Sequence, residues 1–366
     1  MTPSTSSRGP GTRRAAVVGA GIIGASIAWR LAQRGWNVAL YDQGELGGEA
    51  SWAGAGMLAP GGELDRASEL LTLAKRSRSL YPEFVGELET ASGLAIDFQE
   101  NGALDLAYSA AEWQQLQQRS NRQIQLGIAS RFMPAHQVKA FWPFVRTEGL
   151  VGAMFYPDDA VVDPRTVMSA LRIACERAGV TIAERHPVHR IEQISARLIR
   201  VWNGLGGNDF RAAVLAAGAW SGAIPISGLP PIPASEPVKG HLIGYRMPHK
   251  CCQTIVRHDL THTYILQRAN GFLIAGSNME HAGFDRTIQN QVVTQLESNA
   301  AFLLPHLAET TPIEVWTGFR PGSDRLHIGR WHESPLYLAY GHLRNGLLLA
   351  PVTAERIADQ MSEAFF

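Results

Sequence analysis

Three glycines and one acid near the start of the chain have the spacing of a dinucleotide-binding site. Gly19, Gly21 and Gly24 form a GxGxxG pattern, and Asp42 follows at the end of the next apolar run. The first glycine permits a tight turn, the second lets a pyrophosphate approach the backbone, and the third lets a helix pack closely on a strand. A carboxylate at Asp42 can accept both ribose hydroxyls of an adenosine. Because it would repel a 2′-phosphate, the pattern disfavours NADP and leaves NAD or FAD.

The elements around these residues are those that such a site requires. Ala15–Val18 is an apolar run typical of a buried parallel strand, and Ile22–Ala32 predicts a helix with one apolar face. Trp36–Leu40 is a second apolar run that completes a βαβ unit. The N-terminus of the helix would offer free N–H groups and a positive dipole end to the phosphates.

The C-terminal part predicts a second helix N-terminus near the same ligand. A strand leads into the glycine-bounded loop Gly341–Gly346, and a helix is expected from near Leu349. Oriented N–H groups there would stabilise the negative charge of a reduced flavin. The same pattern also fits an ordinary strand–helix connection, so these residues alone leave NAD and FAD open.

The sequence between these two ends alternates between predicted helices and predicted strands. A long helix is expected over Glu69–Ser92, broken near Pro82, and another over Ala111–Leu126. Residues 230–317 are typical of strands, with one helix near Val292–Leu304. The 366 residues exceed the usual size of a single core. We therefore expect two domains, with the chain passing between them.

Composition excludes several classes of function. Lys plus Arg and Asp plus Glu both number 33, so there is no electrostatic basis for binding nucleic acid or an acidic membrane. Cys175, Cys251 and Cys252 predict neither a disulfide framework nor a zinc site, which suits a reducing cytoplasm. Residues 1–13 are expected to form a disordered tail, and no apolar run is long enough to span a membrane. We expect a cytoplasmic protein without a metal.

Six stretches along the chain resemble the D-amino-acid oxidase family of flavoproteins, and within it the glycine oxidases of thiazole synthesis. They are, in order, GAGIIGASIAWRLAQRG, EASWAGAGMLAP, AAGAWS, YILQRANGFLIAGSNMEHAGFD, WTGFRPGSDRLHIG and GHLRNGLLLAP. The resemblance covers nearly the whole chain after residue 13 and implies FAD. It also implies an α/β (α+β) fold, in which a Rossmann-like FAD-binding domain joins an antiparallel β-rich substrate domain. The expected segments are 14–90, 150–225 and 318–366 for the FAD-binding domain, and 91–149 and 226–317 for the substrate domain.

The resemblance further implies which residues contact FAD. They are Gly19, Gly21, Ile22, Ile23 and Gly24 at the pyrophosphate, Asp42 and Gln43 at the ribose, Ala50, Ser51, Ala55, Gly56 and Met57 along the flavin, Val188 at the adenine, and His342, Leu343, Arg344, Asn345, Gly346, Leu347 and Leu348 around the isoalloxazine. In the related sarcosine oxidases a cysteine in the region of Arg320 holds the flavin covalently. This sequence has no cysteine there, so the FAD is expected to be noncovalent.

The implied substrate site centres on one arginine. Arg320, in GFRPGS, matches the residue that clamps the substrate carboxylate, and a planar guanidinium can form two parallel hydrogen bonds with that group. Tyr264 matches a further carboxylate donor, and His262 and Met279 match pocket positions. Arg344 matches a position whose backbone carbonyl contacts the amine. No acid–base residue is assigned, because the amine only has to bind uncharged.

The implied activity is oxidative deamination of glycine or a small amino acid. The hydride would pass to flavin N5, and O2 would reoxidise the flavin to give H2O2. The resemblance also implies a link to thiamine thiazole synthesis and a homo-oligomer, a tetramer in the family. A D-amino-acid dehydrogenase, a sarcosine-type oxidase and a flavin-binding protein without turnover remain alternatives. Gln267 stands where the family usually has proline, which leaves the exact substrate open.

Overall fold

The computed structural model describes residues 13–364, and within this range the chain forms four β-sheets and nine α-helices. The strands are β1 Arg14–Val18, β2 Asn37–Tyr41, β3 Met57–Leu58, β4 Phe98–Gln99, β5 Ala103–Ala107, β6 Arg131–Met133, β7 Gly152–Tyr156, β8 Ala160–Val162, β9 Thr181–Ala183, β10 Val188–Ser195, β11 Leu198–Asn203, β12 Gly206–Phe210, β13 Ala212–Leu215, β14 Ile226–Ser227, β15 Glu236–Arg246, β16 Ile255–His258, β17 Thr263–Gln267, β18 Phe272–Gly276, β19 Glu314–Gly322, β20 His327–Arg330 and β21 Leu336–Tyr340. The helices are α1 Ile22–Gln33, α2 Ala50–Ala53, α3 Pro60–Glu63, α4 Glu69–Ser92, α5 Ala110–Gln125, α6 Ala135–Phe141, α7 Pro164–Arg177, α8 Asn290–Leu303 and α9 Gly346–Ala364, with 3-10 turns at Gly218–Ala223 and Pro305–Glu309. Of the predicted tail, residues 1–12 lie outside the described range, whereas the carbonyl of Arg13 accepts from the N–H of Asn37 at 2.8 Å.

A six-stranded sheet in the order β20-β21-β13-β1-β2-β9 forms the nucleotide side of the molecule. Its strands run parallel except for β20, and β1 pairs with both β2 and β13. Helices α1, α4, α7 and α9 cover one face, and the four-stranded sheet β12-β11-β10-β14 covers the other. Burial of both faces explains why β1 is apolar at every position after its first residue. The predicted Rossmann-like βαβ unit is confirmed.

An eight-stranded sheet in the order β19-β15-β18-β17-β16-β5-β7-β6 forms the second side. Its neighbouring strands are antiparallel except for β16 and β5. Helices α6 and α8 pack on one face, and α5 packs on the other. The expected antiparallel β-rich partner of the Rossmann-like unit is therefore present.

Strand pairing departs from the predicted division of the chain at three places. Strand β7 lies in a segment assigned to the FAD-binding domain, yet it pairs with β5 and β6 in the eight-stranded sheet. Residues 318–322 likewise belong to β19 of that sheet. Conversely, β14 lies in a segment assigned to the substrate domain, yet it pairs with β10 in the four-stranded sheet on the nucleotide side. These pairings join segments that are distant in the sequence, so local composition does not reveal them.

The expected break in the long helix near Pro82 is wrong. Helix α4 runs without interruption from its N-cap at Ser68, whose hydroxyl accepts an N–H of the first turn, to Gly93 in the left-handed conformation. Pro82 removes one N–H group on the exposed side of the helix. Tyr81 and Phe84 are fully buried on the opposite side, and this packing holds the helix together.

Candidate active site

A cavity of about 420 Å³ opens at the carboxyl ends of the parallel strands. Val18 at the end of β1, Tyr41 at the end of β2, Ala216 just after β13 and Tyr340 at the end of β21 all line it. Ligands of doubly wound sheets bind at this edge. The cavity continues to the eight-stranded sheet, where Arg320 of β19 lines it. Both halves of the molecule therefore contribute walls.

The glycine cradle at the start of α1 has the geometry that a pyrophosphate requires. Gly19 has φ +102°, and a Cβ there would lie 2.6 Å from the carbonyl carbon of Ala216. A Cβ on Gly24 would overlap the carbonyl oxygen of Gly19, so the third glycine allows the helix to pack on the turn. The N–H of Ile22 donates to Ser51 Oγ at 2.8 Å, and both residues line the cavity. Phosphate oxygens are acceptors of the same kind, so the cradle fits a dinucleotide.

Asp42 is held rigidly at the end of β2. Its Oδ2 accepts from the N–H of Ala20 and its Oδ1 from the N–H of Gly44, both at 2.7 Å. Burial raises the pKa of Asp42, and these two N–H groups oppose the shift. Each oxygen keeps a further lone pair for a ribose hydroxyl. The neighbouring Gln43 also lines the cavity, so the acidic end of the site fits an adenosine ribose.

Most of the residues predicted to contact the cofactor line this one cavity. They are Gly19, Gly21, Ile22, Ile23, Asp42, Gln43, Ala50, Ser51, Ala55, Gly56, Met57, Val188, His342, Leu343, Arg344, Gly346 and Leu347. Gly24, Asn345 and Leu348 are not among the lining residues. Gly24 packs beneath Gly19, Asn345 donates its N–H to the carbonyl of His342 at 2.8 Å, and Leu348 is buried in the hydrophobic core.

The loop over residues 341–345 brings the N-terminus of α9 to the cavity. Leu343 has φ +47°, and its N–H donates to the carbonyl of Pro321 at 3.1 Å. This bond ties the loop to the residue that follows Arg320. Helix α9 begins at Gly346, three residues earlier than expected, and Gly346 and Leu347 line the cavity. The positive end of the helix dipole therefore faces the site.

His342 in this loop is a neutral side chain. It is buried, and its Nε2 lies 3.2 Å from Thr353 Oγ1 of α9. Burial, aided by the nearby His327, lowers the pKa of His342 to about 3. The loop is thus packed around an uncharged imidazole.

Arg320 is a partly buried cation held by neutral oxygens. Its Nη1 donates to the carbonyl oxygens of Asn278 at 3.1 Å and Lys239 at 3.4 Å, and its Nη2 donates to Ser277 Oγ at 2.6 Å. Burial lowers the pKa of Arg320, and the nearby Tyr264 opposes that shift. A guanidinium has five N–H donors, so the Nε–H and one hydrogen on Nη2 remain for a ligand. Within the described range Arg320 forms no ion pair, so its charge is available for an anionic ligand.

Tyr264 stands beside this guanidinium. It lines the cavity from β17, and its hydroxyl lies beside the backbone of Gly276, where an added Cβ would be 2.9 Å from it. Burial raises the pKa of Tyr264, so the phenol stays protonated and can donate. Arg344 lines the same cavity, and burial lowers the pKa of its guanidinium.

The structure does not bring two of the predicted substrate residues into the cavity. His262 is exposed in the turn between β16 and β17, where its N–H donates to the carbonyl of Asp259 at 3.0 Å. Met279 is 46% exposed. Neither belongs to the lining residues. Gln267, the departure from the family pattern, is buried outside the cavity and accepts the N–H groups of Cys251 and Cys252.

Sequence reasoning missed part of the wall. Further lining residues include Glu49, Trp220, Gly240, Leu242, Ser277 and Phe319. Glu49 forms an ion pair with Arg286 at 2.7 Å, and Trp220 stacks on Phe284 with ring centroids 4.6 Å apart. The segment before α8 therefore covers the cavity wall from outside. Glu49, Trp220, Ser277 and Phe319 lie within the stretches that carry the family resemblance. Gly240 and Leu242 lie outside them on β15, and their place in the wall depends on the pairing of β15 with β18 and β19, which gives no local signal.

The fold and this site together define a flavin-dependent oxidoreductase that binds FAD across a Rossmann-like domain. The chain belongs to the DAO family, described as FAD dependent oxidoreductase, whose model matches residues 14–360. It is 33% identical over 350 residues to a glycine oxidase of Bacillus licheniformis, with 94% of this chain and 92% of that protein covered. It is 33% identical to a bifunctional protein ThiO/ThiG of Trichormus variabilis, covering 96% of this chain and 53% of that protein. The crystal structure of a glycine oxidase from Geobacillus kaustophilus superposes with a TM-score of 0.89 at 31% identity, covering 96% of this chain and 95% of that one.

The described part of the chain lacks both a membrane-spanning helix and a cluster of metal-binding side chains. No helix between residues 13 and 364 is long and apolar enough to cross a membrane. In the same range, no three or more His, Cys, Asp or Glu side chains are grouped so that they could hold a metal ion.

Proposed function

We propose that the protein oxidises glycine or another small amino acid to the corresponding imino acid. The observation that carries the proposal is Arg320, a partly buried cation in the cavity wall that contacts neutral oxygens and keeps two N–H donors for an anion. A carboxylate is the anion that a planar fork of N–H donors fits best. The glycine oxidases among the relatives support an amino acid as the source of that carboxylate.

The residues of this chain bind and orient the substrate. Arg320 and Tyr264 donate to the carboxylate, and this fixes the Cα relative to the cofactor. The backbone carbonyl of Arg344 accepts from the amine, which binds in its uncharged form. The apolar Leu242 and Phe319 in the wall exclude water from the substrate. FAD held in this cavity would supply the redox chemistry, as the acceptor of a hydride from the substrate, with O2 as the final acceptor.

The biological role proposed is supply of the imine of glycine for the thiazole of thiamine. Support comes from the resemblance to the thiazole-synthesis glycine oxidases and from the ThiO/ThiG relative, in which this chain matches about half of the protein. A sarcosine-type oxidase and a D-amino-acid dehydrogenase use the same carboxylate clamp and are alternatives inside the same class. A flavin-binding protein without turnover would not need a cation free to bind an anion in the cavity wall, so Arg320 argues against it.

An anaerobic spectrum tests the proposal. The purified protein, loaded with FAD, is mixed with glycine, sarcosine or D-alanine in the absence of oxygen. We expect glycine to bleach the flavin absorption and air to restore it with release of H2O2. Bleaching by sarcosine or D-alanine but not by glycine would show that the substrate is a different amino acid and that the class of enzyme is the same. A flavin that no amino acid bleaches would contradict the proposed function.

A further inference from the structure

Two consecutive residues after β18 hold the guanidinium of Arg320. Ser277 accepts from Nη2 through its hydroxyl at 2.6 Å, and Asn278 accepts from Nη1 through its main-chain carbonyl at 3.1 Å. The side chain of Asn278 does not touch Arg320 in these bonds. Its role is therefore separable from direct contact with the anion.

The side chain of Asn278 forms hydrogen bonds through both its amide oxygen and its amide nitrogen. Asn278 Oδ1 accepts from the main-chain N–H of His241 at 2.8 Å and from His241 Nδ1 at 3.1 Å, while Nδ2 donates to Glu280. His241 is fully buried, and its Nε2 accepts from the N–H of Gln289 at 3.2 Å. Because Nε2 is the acceptor, the ring proton of His241 is on Nδ1, which donates a hydrogen bond to Asn278 Oδ1. The carbonyl of Asn278 is thereby fixed between β15 and the segment before α8.

We propose that Asn278 is a positioning residue that orients Arg320 for the carboxylate of the substrate. The inference rests on the proposed function and adds to it a residue that contacts neither substrate nor cofactor. Two parallel hydrogen bonds to a carboxylate require the guanidinium plane to be fixed. The Asn278 carbonyl and the Ser277 hydroxyl set that plane by accepting from Nη1 and Nη2. Loss of the Asn278 side-chain bonds frees this carbonyl and lets the plane tilt.

A polarity swap separates positioning from general stability. Asn278→Ala removes both side-chain bonds, and Asn278→Asp replaces the donor toward Glu280 by a second negative charge. In Asn278→Asp/Glu280→Gln, the new amide can donate to the new carboxylate while both His241 N–H groups keep their acceptor. Glu280→Gln alone measures the effect of losing that charge. Asn203→Asp is the matched control, because Asn203 is a buried asparagine outside the cavity whose Oδ1 accepts from the N–H of Leu205.

The readouts are kcat/KM for glycine, the Kd of acetate from its perturbation of the flavin spectrum, the FAD content and the Tm. We expect Asn278→Ala and Asn278→Asp to lose roughly tenfold to a hundredfold in kcat/KM and to bind acetate more weakly. The polarity-swapped double variant should recover most of both, and Asn203→Asp should match the wild type. FAD content should be equal in all of them.

Three results would overturn the inference. The first is Asn278→Ala within twofold of wild type for glycine and acetate. The second is a double variant no better than Asn278→Asp, which includes the case in which every Asn278 variant misfolds. The third is a wild-type protein that binds no acetate, because Arg320 would then not be a binding site for a carboxylate. Wild type that binds acetate but oxidises no amino acid would instead refute the proposed function, and the acetate affinities of the variants would still decide the role of Asn278.

Discussion

The guanidinium of Arg320 lies directly over the backbone of Gly240 on the neighbouring strand. A Cβ on Gly240 would stand 2.5 Å from Nη2 and 2.7 Å from Cζ of the arginine. A side chain at residue 240 fits only if the guanidinium of Arg320 moves aside. The missing side chain at residue 240 therefore sets the position of the cation in the cavity wall.

Replacing Gly240 by alanine should displace the clamp and leave the fold intact. We expect Gly240→Ala to lower kcat/KM for glycine roughly tenfold to a hundredfold, because small misplacements of a binding group are costly. FAD content should stay normal. Gly86→Ala is the matched control, since Gly86 is exposed within α4 with open space around it. It should leave activity unchanged and add about 0.5–1 kcal/mol of stability. Equal activity of the two variants would contradict the role of Gly240.

Removing the carboxylate of Asp42 should weaken FAD binding without slowing turnover. Asp42→Ala deletes the acceptor facing the ribose and the bonds from Ala20 and Gly44. A lost hydrogen bond to a charged group costs about 1.5–3 kcal/mol, so the Kd of FAD should rise roughly tenfold to a hundredfold. The kcat at saturating FAD should stay near the wild-type value. Fluorescence titration of apoprotein gives the Kd, and a large fall in kcat at saturation would show that Asp42 acts elsewhere.

His342 should make the protein less stable in mild acid. Its pKa is about 3 in the folded state, below the ordinary value of 6.5. The unfolded chain therefore binds an extra proton between these values, so stability is present above pH 6.5 and falls as the pH drops toward 3. From pH 7.5 to pH 5 this group should cost about 2 kcal/mol. Urea unfolding at both pH values should show a smaller loss for His342→Asn. An identical pH dependence in the two proteins would rule out His342 as its source.

The flavin should be released by denaturation. Cys175, Cys251 and Cys252 are all buried and lie outside the residues lining the cavity. Acid precipitation should therefore leave a yellow supernatant and a colourless pellet. Flavin that stays with the pellet would indicate a covalent link to another side chain.

Whether a feature of the fold or of the site could be predicted from the sequence depends on how far apart in the chain its interacting residues lie. The cradle of Gly19, Gly24 and Asp42 follows from one βαβ unit, so its pattern is local. The position of Gly240 beneath Arg320 depends on the register of β15 and β19, which are distant in the sequence. His262 shows how short the range of a local pattern is, because it lies two residues from Tyr264 in the sequence yet falls in an exposed turn with φ +49°. Strand alternation predicts which face a residue occupies only while the strand continues.

Arg320→Leu is the most direct test of the account. Leaving the substrate carboxylate without its partner in a buried site costs about 3–5 kcal/mol, or roughly a hundredfold to several thousandfold in kcat/KM for glycine. Arg320→Lys should recover only part of this, because an ammonium lacks the two parallel donors. FAD content should stay normal, and an amine without a carboxylate should be affected far less. The measurement is steady-state oxidation of glycine and of that amine by wild type and both variants. A large loss confined to glycine is the predicted result, and unchanged glycine kinetics in Arg320→Leu would contradict the account.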